Sequence, residues 1–282
     1  MTRRSLLSAV TAAAITGSRA AAQETKPAPR KGRLKQAVCP GVFGKGVPLE
    51  EMCRQAARLG VYGIDLMRPE NFPILKKHGL IPTMASGAMT LTGGCNRKED
   101  HPVVEKAMRE LIDKTAEAGA PNVIALSGNR RGMSDEEGMD NVVAFLSKVK
   151  GQAEDKGVTI CLELLNSKVN HPDYQCDRTS WGVEVCRRAG SPRVKLLFDI
   201  YHMQIMEGDI IRTIRNNIPW IAHFHTAGNP GRHEMDDTQE MNYRGIARAI
   251  ADLGFAGYIA HEYSPLRDPL RSLEETLVMF EA

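Results

Sequence analysis

The chain has 282 residues, 42% of them hydrophobic and 25% charged, which is the make-up of an ordinary globular protein with room for one large domain or two small ones. Its formal charge of +3 comes from the first 22 residues, where Arg3, Arg4 and Arg19 stand without an acid; of the 37 bases, those three removed leave 34 against 34 acids. A neutral body has no net field to attract phosphates, so composition argues against a nucleic-acid partner.

In chain order, Thr2-Arg3-Arg4-Ser5-Leu6-Leu7 opens a charged segment, an apolar run follows to Ile15, and Ala20-x-Ala22 supplies small residues for cleavage. That order predicts a signal peptide over residues 1–22, and the paired arginines resemble a twin-arginine signal, which implies export, normally to the periplasm. The apolar run is far shorter than the ~20 residues of a bilayer span, so no membrane span is expected. Residues 23–33, rich in Pro, Lys and Arg, read as a solvated linker.

From residue 34 to 282 a short apolar run, a polar turn and an amphipathic stretch repeat. Strands are predicted near 35–42, 62–67, 81–86, 122–127, 158–165, 194–201, 221–226 and 257–263. Helices are predicted near 48–59, 70–78, 101–118, 135–156, 179–189, 209–217, 242–253 and 270–281. Gly60, Gly79, Gly119, Gly157, Gly190 and Gly254 follow six of these helices as C-terminal caps. Runs such as Val123-Ile124-Ala125-Leu126 lack alternation, as in strands covered on both faces. Strict β-then-α alternation implies a parallel sheet, and eight units imply an α/β fold closed as a single (β/α)8 TIM barrel. Cys39-Pro40-Gly41-Val42-Phe43-Gly44 after the first strand lacks the dinucleotide fingerprint.

The active site of such a barrel lies at the C-terminal ends of its strands. There the fifth strand carries Glu163, the sixth Asp199, the seventh His223 and His225, and the eighth His261 and Glu262. A lone charge in an apolar run is costly, and one such residue is readily a salt-bridged core group. Four on consecutive strands point instead to three carboxylates and one imidazole, Glu163, Asp199, Glu262 and His225, around one divalent cation. Oxygen-rich ligation suits Mn2+, Mg2+ or Co2+, with Zn2+ as the further candidate. His223, one layer below His225, reads as a packed or hydrogen-bonded histidine, and His261 points to the helix layer. Trp181 reads as packing against the barrel. Thr90 to Asp100, with Gly93-Gly94, reads equally as a lid or as a long surface connection.

The six cysteines form no C-x-x-C pair, excluding zinc-ribbon and thioredoxin-like readings. Cys39 and Cys161 sit in apolar runs as buried thiols would. Export permits a disulfide, Cys176 with Cys186 for example, although spacing does not assign a pairing.

At these residues the chain resembles the xylose-isomerase-like barrels, above all the hydroxypyruvate isomerase group. Phe198-Asp199-x-Tyr201-His202 is similar to that family's D-x-[FY]-H strand. Arg232-His233-Glu234-Met235-Asp236-Asp237 with Glu240-Met241-Asn242-Tyr243 is similar to its stretch after the seventh strand, and Gly257-Tyr258-Ile259-x-x-Glu262-Tyr263 to its last strand. The resemblance implies that Glu163, Asp199, His225 and Glu262 bind the metal, that Glu163 and Glu262 are the acid/base pair, and that His202, Arg232 and His233 hold substrate oxygens. Two departures stand out. His225 matches the ketose 3-epimerases, where bacterial hydroxypyruvate isomerases tend to carry Gln, and Val169 stands where those epimerases carry a second Glu.

The chemistry so implied is proton transfer beside a carbonyl through an enediolate, giving isomerisation or epimerisation of a sugar or small hydroxy-carbonyl compound. A homo-oligomer remains open. Competing readings are an exported lyase or isomerase of 3-keto sugars and a non-catalytic periplasmic sugar-binding barrel. A DNA-repair barrel of the endonuclease IV kind would need further histidines after strands two to four, where Asp65-Leu66-Met67, Ala85-Ser86-Gly87 and Leu126-Ser127-Gly128 stand.

Overall fold

The computed structural model describes residues 30–282, so the expected leader and the linker up to residue 29 lie outside the described residues. The strands are β1 (Lys35–Val38), β2 (Gly63–Ile64), β3 (Ile81–Pro82), β4 (Asn122–Ala125), β5 (Thr159–Glu163), β6 (Val194–Asp199), β7 (Ile221–Thr226) and β8 (Tyr258–His261). The helices are α1 (Leu49–Arg58), α2 (Phe72–Lys77), α3 (His101–Glu117), α4 (Asp135–Lys156), α5 (Thr179–Ala189), α6 (Ile200–Met206), α7 (Ile210–Asn217), α8 (Tyr243–Asp252) and α9 (Pro269–Met279).

The eight strands run in the order β3-β2-β1-β8-β7-β6-β5-β4, and the pairs are parallel. Just past β3, the Ala85 amide donates to the Asn122 carbonyl at 2.9 Å and the Ile124 amide to the Ala85 carbonyl at 3.0 Å, which joins the two ends of the sheet. The expected (β/α)8 barrel is therefore what the chain forms.

Two apolar compartments follow from the period-2 alternation of the strands. The large one lies between sheet and helices and includes Trp181, whose indole N–H donates to the Asp135 carbonyl at 3.0 Å and so ties α5 to the start of α4. The other fills the barrel, with Met84, Ile124, Leu126, Cys161 and Leu197 on one side and the small Ala37, Cys39 and Ala260 on the other.

The sixth strand ends earlier than expected. Ile200 and Tyr201 continue its apolar run, but the Asp199 carboxylate accepts the His202 amide at 3.0 Å and starts α6 at Ile200. A capping carboxylate thus overrides β-propensity, and Tyr201 and His202 belong to a helix. The first strand is likewise shorter, with a 3-10 turn over Pro40–Phe43. Gly157 and Gly190 cap α4 and α5 in the left-handed conformation, as expected.

The Thr90–Asp100 stretch is a pinned connection over its middle, because Cys95 and Asn96 donate backbone hydrogen bonds to the Leu126 and Ser127 carbonyls at 3.0 and 2.8 Å. At the other end, residues of the expected linker lie against the barrel base. Arg30 donates to the Leu59 carbonyl at 3.1 Å, and Arg33 pairs with Asp252 at 2.9 Å. All six cysteines are free and buried.

Two glycines give a sharp test of this packing. A Cβ on Gly63 would lie 1.9 Å from the Ile81 carbonyl oxygen, against rigid neighbouring backbone. Gly151, exposed in the middle of α4, has nothing within 4 Å of its Cβ position. Gly63→Ala is expected to destabilise by about 1–3 kcal/mol or more, whereas Gly151→Ala should stabilise by about 0.5–1 kcal/mol. Urea denaturation of both variants measures this, and similar midpoints for the two would contradict the β2–β3 contact.

Candidate functional site

Register brings the four expected ligands to one place. Asp199 pairs with His225 across β6 and β7, and Glu163 pairs with Leu197, two residues before Asp199 and on the same face. His225 pairs with Ala260, so Glu262, two residues further, also faces the barrel interior. One donor atom each from Glu163, Asp199, His225 and Glu262 lies within 4.8 Å of the others. From His225 Nδ1 the distances are 3.0 Å to Glu262 Oε2, 3.5 Å to Glu163 Oε1 and 3.9 Å to Asp199 Oδ2.

The electrostatics of this group are those of buried acids gathered around two bases, His225 and Arg232. Burial pushes the carboxyls of Glu163 and Asp199 above their usual range, and repulsion from Glu262 adds to the rise. Burial works the same way on Glu262, but the charges of His225 and Arg232 outweigh it and hold that carboxyl down at about 2. His225 Nδ1 is buried without a hydrogen-bond partner. One imidazole nitrogen and three carboxylates converging on one point match the donor set of a divalent ion, so the residues present fit such a group.

Asp65, just past β2, organises the site. Its Oδ2 lies 2.7 Å from His225 Nε2 and 3.0 Å from His223 Nε2, while the Thr83 hydroxyl donates to Oδ1; all four residues are buried. Burial alone would raise this carboxyl, but His223 and His225 outweigh it and hold Asp65 well below its usual range. An ionised acceptor at Nε2 holds a proton there, so Nδ1 is the nitrogen that His225 turns toward the three carboxylates. Burial lowers the pKa of this imidazole, but Cys39, Glu262 and the hydrogen bonds to Asp65 and Glu163 outweigh it and hold it well above the usual value; a cation at that point would take the place of the Nδ1 proton. His223 is thus a hydrogen-bonded interior group, as expected. Cys39 also approaches Asp65 and His225. Burial raises its thiol well above the usual value, with Glu262 adding to the rise, so it stays a neutral thiol beside that pair.

The expected substrate contacts divide. Arg232 Nη2 meets Glu262 Oε2 at 2.7 Å, and its guanidinium lies over the Tyr201 ring at 5.7 Å. His202 is buried, with Nε2 unpartnered and 3.7 Å from Asp199 Oδ2. Burial first and Arg232 next keep its imidazole well below its usual pKa, and so neutral. His233 is tied elsewhere, its Nδ1 2.9 Å from the Ser264 carbonyl oxygen. His261 faces outward as expected, between Gln36 and Thr226 and against Phe280. Two further residues border the site. Asn166 meets His202 Nδ1 at 2.6 Å, and the His171 ring packs on that imidazole at 5.1 Å. Both lie in the loop after β5, where no periodicity marked them.

Residues 53–281 match the model of the xylose isomerase-like TIM barrel family, and the chain belongs to that family. Among named relatives, the 2-oxo-tetronate isomerase of Cupriavidus necator is 37% identical over 108 residues, covering 38% of this chain and 41% of that one. The chain thus spans about two fifths of the length of the first relatives it matches. The 2-oxo-tetronate isomerase of Haemophilus influenzae is 27% identical over 243 residues, covering 81% of this chain and 92% of that one. A solved structure of a family 2 AP endonuclease from Brucella melitensis shares the fold, with TM-score 0.76 and 22% identity over 87% of this chain and 99% of that one.

The Asp65 contact makes a prediction about the metal. Asp65→Asn is expected to weaken Mn2+ binding by about 10–100-fold, as loss of a ligand's supporting carboxylate does elsewhere. Calorimetric titration of chelator-stripped protein measures it, and an unchanged affinity would remove Asp65 from the site.

Proposed function

We propose that the chain is an isomerase or epimerase of a small hydroxy-carbonyl compound, using one divalent cation held by Glu163, Asp199, His225 and Glu262. Mn2+, Mg2+ or Co2+ suits this ligand set better than Zn2+. The observation that carries the reading is the convergence of three carboxylates and one imidazole nitrogen within 4.8 Å at the mouth of the barrel. The named activities of the relatives, 2-oxo-tetronate and hydroxypyruvate isomerases, point to the same chemistry.

When bound, the cation polarises a carbonyl and a neighbouring hydroxyl. The remaining work falls to side chains. Glu163 and Glu262 feel opposite environments, burial raising the first and His225 with Arg232 lowering the second. Glu163 removes the proton from the carbon beside the carbonyl. Glu262 sits across the cluster and manages the other proton transfer. Arg232 and the neutral His202 hold substrate oxygens; Arg232 suits a carboxylate through two parallel N–H contacts. Export through the leader would place the site, and so its substrate, outside the cytoplasm.

Chelator-stripped protein, restored with each metal in D2O, is expected to exchange deuterium at the carbon beside the carbonyl of 2-oxo-tetronate, hydroxypyruvate or a ketose. Glu163→Gln and Glu262→Gln should each lower that exchange by about 10²–10⁴-fold, the usual worth of a general acid or base. Tight metal binding with no exchange on any of these compounds would reject the isomerase in favour of a 3-keto sugar lyase or a sugar-binding barrel.

A further inference from the structure

The two buried histidines of the site are set in opposite senses, and for His202 a single amide does the setting. Asn166 is fully buried. Its Oδ1 accepts the backbone amides of Val169 and Asn170 at 3.0 and 2.8 Å. Turning the amide round would place its NH2 against two N–H donors, so the orientation is fixed by the loop itself. The NH2 therefore points the other way, donating to Asn170 Oδ1 at 2.7 Å and to His202 Nδ1 at 2.6 Å. A ring nitrogen that accepts a hydrogen bond carries no proton. In the neutral ring the proton is then on Nε2, the atom that is buried, unpartnered and on the Asp199 side. Asp199 Oδ2 at 3.7 Å is too far to take it. His171 and Tyr201 pack on the ring at 5.1 Å and hold its plane.

We propose that Asn166 is a positioning residue that locks His202 as the Nε2–H tautomer, making His202 a hydrogen-bond donor to a substrate oxygen. His225 is set the other way round, its Nε2 proton held by Asp65 and its Nδ1 turned to the cluster. One imidazole is thus prepared for a cation and the other for an oxygen that gains negative charge during proton transfer. The substrate part of this inference rests on the function proposed above; the tautomer does not.

The test uses the full chain labelled with 15N-histidine, chelator-stripped and then loaded with diamagnetic Mg2+. Long-range proton–nitrogen NMR reads the protonation of each ring nitrogen, with His202→Gln serving for assignment. The expected wild-type result is His202 with bare Nδ1 and protonated Nε2. In Asn166→Asp the carboxylate should draw a proton onto Nδ1. The kcat for deuterium exchange is then expected to fall by about 10²-fold, the worth of one such donor, with KM and Mg2+ affinity near wild type. A merely structural role would instead lower thermal stability and metal affinity and leave the tautomer alone. Wild-type His202 with a proton on Nδ1, or an unaltered tautomer in Asn166→Asp, overturns the proposal. Absence of exchange with every substrate overturns the isomerase reading, while the resting-state spectrum still decides the role of Asn166.

Discussion

The site depends on one buried charge-assisted hydrogen bond that crosses the barrel. Asp65 on the β2 side reaches His225 on β7, and in the sheet order β1 and β8 lie between them. The interior positions of those two strands are Ala37, Cys39 and Ala260, all small, so nothing bulky stands in the way. A fully buried carboxylate is tolerable only with its oxygens satisfied, and here two imidazoles and a hydroxyl do so. In return the carboxylate fixes which edge of His225 faces the cluster. Without that constraint the imidazole could turn either edge toward the three carboxylates.

Much of this was legible in the sequence, because the acids of β5, β6 and β8 and the imidazole of β7 interrupt apolar runs at matching places. Strand number and the closing of the barrel followed from the alternation of runs and caps. Asp65 carried the same signal, a charge inside Gly63-Ile64-Asp65-Leu66-Met67, but an acid whose partner lies on β7 says nothing of that partner locally. The end of β6 was misplaced for a related reason. Ile200 and Tyr201 look like strand until the Asp199 side chain is known to turn back on the His202 amide. Asn166 and His171 lie in a loop, where neither period nor composition marks a residue that works through a single contact.

The placement of Arg232 shows how the loop after β7 is built. Arg232 has φ 60°, a left-handed conformation that costs a non-glycine residue about 1–3 kcal/mol. The conformation is held from both sides. Its amide donates to the Gly228 carbonyl, its carbonyl accepts the Ser264 amide, and Gly228 in turn donates to the His233 carbonyl, each at 2.9 Å. Gly228 has no room for a Cβ, which would sit 2.3 Å from the Glu234 carbonyl oxygen. The buried Glu234 carboxylate then accepts the amides of Leu266 and Arg267 and the Ser272 hydroxyl, stitching this loop to the one after β8. In the Arg-His-Glu run, then, only the arginine reaches the cluster; the glutamate, and His233 through Ser264, are anchors.

The polar groups are confined to one half of the barrel mouth. The candidate ligands come from β5 to β8, whereas Asp65, from the other half, is already committed to the histidines. Facing inward on the β3 to β6 side are Met84, Ile124, Leu126, Cys161 and Leu197. Ser127, just past β4, is also occupied, its hydroxyl accepting the Cys176 amide at 3.0 Å. Asp65, past β2, and Ser127, past β4, thus already have partners within the protein. The arrangement suits a small molecule with an oxygen-bearing edge and a C–H face. Such a molecule can set its oxygens toward the acids and Arg232 while its carbon face lies over the apolar arc.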